Sequence, residues 1–183
     1  RVGEDYFLVT STFEFFPGVP IYHSRNLVDW KLINHCLTKK SQVDLENCRN
    51  SGGIFAPTIR HSNGYFYMTT TNTSNHGNFI VFTNDIYGEW SEPIFVDQGG
   101  IDPSILFDEE KVYFCSTGAD DEGKSCIILC EIDISTGAKL TESKIISYGC
   151  GGRHPEAPHI YKIGSYYYLL LAEGGTEYGH MTT

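Results

Sequence analysis

The sequence predicts an all-β protein made of consecutive four-stranded blades of a β-propeller. Its composition points to strands: 12 Tyr, 11 Phe and 19 Gly among 183 residues, with many Thr and Ile, supply side chains suited to a pleated, half-buried surface and glycines suited to tight turns. An internal repeat sets the architecture. Gly52-Gly53-Ile54-Phe55-Ala56-Pro57-Thr58-Ile59, Gly99-Gly100-Ile101-Asp102-Pro103-Ser104-Ile105 and Gly151-Gly152-Arg153-His154-Pro155-Glu156-Ala157-Pro158-His159-Ile160 each give a Gly-Gly entry, a short polar segment, a proline and an apolar strand. An aromatic run follows at nearly constant spacing. Tyr65 to Met68 begins eight residues after Pro57, Val112 to Cys115 nine after Pro103, and Tyr166 to Leu169 eight after Pro158.

The first unit, residues 1–40, opens on what reads as a second strand, Tyr6-Phe7-Leu8-Val9, followed by a third in Val19 to Ser24 and a fourth in Asp29 to Ile33. Its innermost strand is expected upstream, since the same spacing counted back from Tyr6 puts the repeat's proline three or four residues ahead of Arg1. The second unit, residues 51–96, has all four strands. Ser62-Asn63-Gly64 is hairpin chemistry between the first two, Asn78 to Phe82 is the third, and the fourth ends in Trp90 to Ile94. The third unit, residues 98–147, repeats the plan, with Cys126 to Cys130 third and Lys144 to Ile146 fourth; the last, residues 150–183, turns at Ile163-Gly164-Ser165 and contributes two strands. Prolines 46 and then 55 residues apart fit a blade of roughly 40 to 50 residues better than a sandwich. The chain is therefore expected to be an internal piece of a longer propeller, holding about three and a half blades, whose unpaired strand edges make it aggregation-prone alone.

Charge narrows the partners. Lys plus Arg total 13 against 23 Asp plus Glu, a formal charge of -10, so neither nucleic acid nor an anionic membrane surface is expected as a partner. No apolar run approaches the roughly 18 to 20 residues that cross a bilayer, and Arg1 to Tyr6 carries charges in place of a signal-peptide stretch. Cys36, Cys48, Cys115, Cys126, Cys130 and Cys150 show no metal-type spacing and read as small buried hydrophobes, with a disulfide left open. Asn72-Thr73-Ser74 is a formal glycosylation triplet. The seven histidines have no metal-ligand spacing, and His159 and His180 read as packing or hydrogen-bonding groups. No G-x-S-x-G, P-loop, dinucleotide or kinase signature is present.

In a propeller the innermost strand of each blade lines the central channel, so residues beside the repeated proline share one cavity. There the units carry Ala56, Asp102, and Glu156 immediately before Ala157. Asp before Pro commonly starts a turn and a lone Glu is usually solvated. Matched positions on separate blades point instead to a carboxylate pair. Glycosidic-bond cleavage requires such a pair, one carboxyl protonated to donate to the leaving oxygen and one ionised to activate water or attack the sugar. A neighbouring charge and a partly dry pocket raise a carboxyl pKa, so Asp102 is expected to help keep Glu156 protonated. Phe13, Phe15, Phe16 and Phe55 are candidates for a sugar-stacking wall.

Four segments carry a family resemblance. Ser11 to Ser24 (STFEFFPGVPIYHS), Ser51 to Pro57 (SGGIFAP), Ile101-Asp102-Pro103-Ser104 and Pro155-Glu156-Ala157-Pro158-His159, followed by Ala172-Glu173-Gly174-Gly175-Thr176, resemble glycoside hydrolase family 43, in its branch of β-xylosidases and α-L-arabinofuranosidases. The resemblance implies a five-bladed β-propeller and an inverting mechanism on xylan- or arabinoxylan-derived oligosaccharides, with no cofactor required. It implies Glu156 as general acid, Asp102 as the aspartate that tunes and orients the acid, and a general-base Asp on a first strand upstream of Arg1. It also implies Phe13, Phe55 and Thr176 as pocket residues. Phe55 stands where many relatives carry Trp and Ala157 where many carry Gly. Some relatives hold a structural calcium near a histidine of the fifth blade, which this chain does not reach, so no metal site is assigned. A β-xylosidase is the favoured reading, with an α-L-arabinofuranosidase or a non-catalytic carbohydrate-binding propeller as alternatives. A retaining fructan- or sucrose-acting hydrolase lacks its Arg-Asp-Pro and Glu-Cys motifs here. The piece alone, without the base, is expected to be inactive.

Overall fold

The computed structural model describes residues 1–176 and 178–183, and none of these is helical. Four antiparallel sheets follow one another along the chain. The first holds β1 (Tyr6–Val9), β2 (Gly18–Ser24) and β3 (Lys31–Leu37). The second holds β4 (Thr58–Ser62), β5 (Tyr65–Asn72), β6 (Gly77–Thr83) and β7 (Ile94–Phe95). The third holds β8 (Ile101–Asp108), β9 (Lys111–Ala119), β10 (Ser125–Glu131) and β11 (Lys144–Ser147). The last holds β12 (Glu156–Ile163), β13 (Tyr166–Glu173) and a short β14 (Met181–Thr182). Strand order within each sheet is the order in sequence, as in a propeller blade.

Local turn chemistry fixes the register of the repeat. Thr58 pairs with Thr69 and Ser62 with Tyr65; Ser104 pairs with Cys115 and Asp108 with Lys111; His159 pairs with Leu170 and Ile163 with Tyr166. Each hairpin closes through two residues, with φ of 49° at Asn63, 54° at Glu109 and 61° at Gly164, as the strand twist of a two-residue loop demands. The expected nine-residue spacing in the third unit is corrected to eight, because β9 begins at Lys111. Glu109-Glu110 carries no Gly or Asn to announce the turn. The fourth unit also has a third strand that the sequence did not show: β14 is two residues long and pairs Thr182 with Ala172.

Hydrophobic cores lie between successive sheets. One joins Ile21 and Leu37 to Met68 and Phe79, the next joins Ile80 and Val96 to Ile105 and Phe114, and the third joins Cys115 and Ile127 to Ile160 and Leu171. Face-to-face packing of this kind brings the leading strands together, so β4 touches β8 and β8 touches β12, while β1 lies against β4. The Gly-Gly entries follow from the crowding: at Gly100, with φ of 87°, a Cβ would stand 1.7 Å from the Thr117 carbonyl oxygen.

Cys36, Cys115, Cys126 and Cys130 are buried free thiols, Cys48 is half-buried and Cys150 exposed. Asn72 is buried; its amide donates to the Asp44 carbonyl and its oxygen accepts the Ser74 and Asn75 N–H groups, so this triplet serves as a turn brace. Large apolar side chains remain exposed in the first and last sheets, among them Leu8, Leu32, Tyr166, Tyr168 and Leu170.

Candidate active site

Asp102 is the second residue of β8 and Glu156 the first of β12, so adjacent blades deliver them. The ladder breaks at both places, between Ile101 and Ser104 and between Glu156 and His159. Each break holds one residue in the left-handed region directly before the repeated proline: Asp102 at φ 54° and Ala157 at φ 48°. Such backbone costs about 1–3 kcal/mol per residue and persists only where the surroundings impose it. The bulges aim the groups. Asp102 therefore occupies the register position of Ala157, and Glu156 that of Ile101, which corrects the matched positions expected from sequence by one residue.

The bulge in β12 releases the Ala157 N–H, which donates to the Asp102 carboxyl. Burial, and then the charge of Glu156, push the Asp102 pKa up to about 6, with the Ala157 N–H acting in the opposite sense. The two carboxyls thus sense each other across the blade boundary. The sequence expectation concerned the proton of Glu156; the shift the structure supports is the raised pKa of Asp102, with burial as its foremost cause.

Glu156 lines a pocket of about 300 Å³ with Arg153, His154, Gly174, Gly175 and Thr176, at the small end of the range for small-molecule sites. This brings two of the expected site residues, Glu156 and Thr176, to one cavity. Phe13 and Phe55 form a second group: Phe13, at φ 51°, exchanges backbone hydrogen bonds of 2.9 Å with Ile54, and the two rings meet edge to face at 5.9 Å. Phe55 stands two residues before its proline, as Glu156 does, hence on the same rung of the repeat. Phe15 and Phe16 point to solvent, and Phe16 lines a separate recess with Lys40, Val43 and Leu45.

Sequence reasoning missed what lies further along the same strands. Arg60 on β4 donates from Nε to the Ile105 carbonyl on β8 at 3.1 Å and from Nη2 to His159 Nδ1 on β12 at 3.0 Å, and its guanidinium lies 5.3 Å from the Tyr161 ring centroid. Arginine only donates, so Nδ1 accepts and the neutral His159 ring carries its proton on Nε2. Burial, then the Arg60 charge, lower the His159 pKa to about 4. One signal was available: Arg60 occupies a place where the other units carry Leu106 and Tyr161. His180 donates from Nδ1 to the Gly175 carbonyl, 2.8 Å away. Among the described residues no three His, Cys, Asp or Glu side chains gather as metal ligands.

Inner strands that converge and place two carboxyls from adjacent blades near one another, one of them lining a small polar pocket, define the chain as part of a β-propeller with a candidate carboxylate site. The family model for glycosyl hydrolases family 43 matches residues 1–183, and the chain belongs to that family. It is 46% identical to a non-reducing end alpha-L-arabinofuranosidase of Bacteroides ovatus, over 98% of this chain and 34% of that protein. It is 39% identical to a beta-xylosidase of Bacillus subtilis, over 100% of this chain and 37% of that protein. The crystal structure of a xylan beta-1,4-xylosidase from Bacillus halodurans superposes with a TM-score of 0.92 at 40% identity, covering 100% of this chain and 37% of that one. The chain spans about a third of the length of the curated relatives it matches.

Proposed function

We propose that the longer protein containing this chain is a glycosidase that removes terminal pentose units from xylan- or arabinoxylan-derived oligosaccharides with inversion at the anomeric carbon. The observation that carries the reading is the electrostatic coupling of Asp102 and Glu156 across two blades, one of them at the wall of a pocket. Glu156 protonates the departing oxygen. Asp102, held by the Ala157 N–H, orients the acid. The general base comes from an Asp outside this chain, on the innermost strand of the first blade. Inversion requires roughly 6.5–9.5 Å between acid and base carboxyls, leaving room for the attacking water.

The activities named for the relatives divide between xylosidase and arabinofuranosidase. We favour β-xylosidase; the Bacteroides ovatus relative supports α-L-arabinofuranosidase as the second reading. The full-length protein assayed on paired nitrophenyl β-xyloside and α-L-arabinofuranoside ranks the two. Proton NMR of the first sugar anomer released tests the mechanism: the inverted anomer is expected, and a retained anomer, or no turnover of either glycoside, defeats the proposal.

A further inference from the structure

Glu173, at the end of β13, is 0% exposed, yet no step of the proposed chemistry uses it. Its carboxylate is fully employed. Oε1 accepts the Cys150 N–H at 2.6 Å and the Thr183 hydroxyl at 2.9 Å, and Oε2 accepts the Gly152 N–H at 2.6 Å. The segment it grips leads directly into Glu156. Neither side of the grip has slack, for a Cβ at Gly149 would stand 2.6 Å from Oε1 and one at Gly152 2.5 Å from Oε2. The next residue, Gly174, donates to the Arg153 carbonyl at 2.6 Å, and Ala172 pairs with Glu156 across the sheet. Beyond Gly174 and Gly175 comes Thr176, which lines the same pocket as Glu156.

From this we infer that Glu173 is a positioning residue: its buried carboxylate clamps residues 149–152 and so fixes Glu156 against Thr176 for proton donation. A buried carboxylate is costly unless several donors meet it, and here two backbone N–H groups and a hydroxyl do. Those donors hold the Glu173 carboxyl below its ordinary pKa, the Cys150 N–H foremost, against the opposing effect of burial. Glutamine has the same shape but turns an NH₂ toward one of the two backbone N–H groups, so Glu173→Gln opens one jaw of the clamp with little change in volume.

The inference rests on the glycosidase reading, and its test separates the two. Full-length Glu173→Gln, Gly152→Ala and Glu156→Gln are compared on xylobiose, whose leaving sugar needs protonation, and on a dinitrophenyl xyloside, whose leaving group does not. For Glu173→Gln a loss of about 10- to 100-fold in kcat is expected on xylobiose and less than about threefold on the dinitrophenyl glycoside, with KM little changed, because the acid is displaced and the sugar site kept. Gly152→Ala, which presses on the clamp from the other side, should show the same selectivity. Equal losses on both substrates, or a fall in thermal stability with activity unchanged, would make the carboxylate merely structural and overturn the inference, as would failure of both clamp variants to fold. If Glu156→Gln itself shows no preference between leaving groups, the acid assignment fails instead.

Discussion

The two ends of the inner strands treat buried polar groups in opposite ways. At the entry, Asp102 is crowded by Glu156 and receives the Ala157 N–H, and the backbone at Asp102 and Ala157 is left-handed. A few residues further in, Arg60 finds a carbonyl, an imidazole nitrogen and an aromatic face on the two neighbouring blades. The groups further along the strands are matched donor to acceptor, whereas at the entry two carboxyls also face each other. The comparison teaches that the interior end locks the blades together while the entry end stores unfavourable proximity that chemistry can use.

The sharpest contrast is between activity and stability. Glu156→Gln in the full-length protein should lower turnover of xylobiose by about 10²- to 10⁴-fold, the usual worth of a general acid, while leaving the urea midpoint nearly unchanged. Arg60→Met should do the reverse. It strips charged hydrogen bonds from the Ile105 carbonyl and His159, and should cost on the order of 2–4 kcal/mol in urea unfolding. A loss below about 0.5 kcal/mol would mean that the blades do not depend on this bridge.

Proton linkage gives the two ends opposite signs. His159, lowered from 6.5 to about 4, contributes stability that is complete above pH 6.5 and is lost as the pH falls through about 4. Asp102, raised from 3.8 to about 6, contributes stability that is complete below pH 3.8 and is lost as the pH rises through about 6. Asp102→Asn should therefore stabilise the full-length protein at pH 7.5 by up to about 3 kcal/mol, at 1.36 kcal/mol per pKa unit, with the gain shrinking toward pH 4. Thermal melts at the two pH values check this. A variant less stable than the parent at pH 7.5 would show that the ionised aspartate is well accommodated and that the crowding at the entry is not a cost.

Much of this was legible in the chain because it is local. Asn63-Gly64 and Gly164-Ser165 announce their hairpins, and the proline spacing carries the blade repeat. The family motifs singled out Asp102, Glu156, Phe13, Phe55 and Thr176, of which Glu156 and Thr176 share a pocket while Phe13 and Phe55 meet as a second group. Glu109-Glu110 hid its turn, since charged residues give no sign of a positive φ. The one-residue offset between Asp102 and Glu156 is visible in their distances from Pro103 and Pro158, but the bulges at the two non-glycine residues that hold them are tertiary effects that spacing does not encode. The partners of Arg60 on β8 and β12 lie 45 and 99 residues away along the chain, beyond any local pattern. Glu173 sat in view within a family motif, but its role depends on a segment 21 to 23 residues earlier folding back onto it.

Carboxyl-carbon NMR of the full-length protein, labelled at aspartate and glutamate and titrated with and without Glu156→Gln, tests the convergence of the two blades most directly. The account predicts that Asp102 titrates near pH 6 in the parent and at a lower pH once the Glu156 charge is gone. An Asp102 that titrates in the ordinary range near 4, or whose midpoint ignores the substitution, would contradict it.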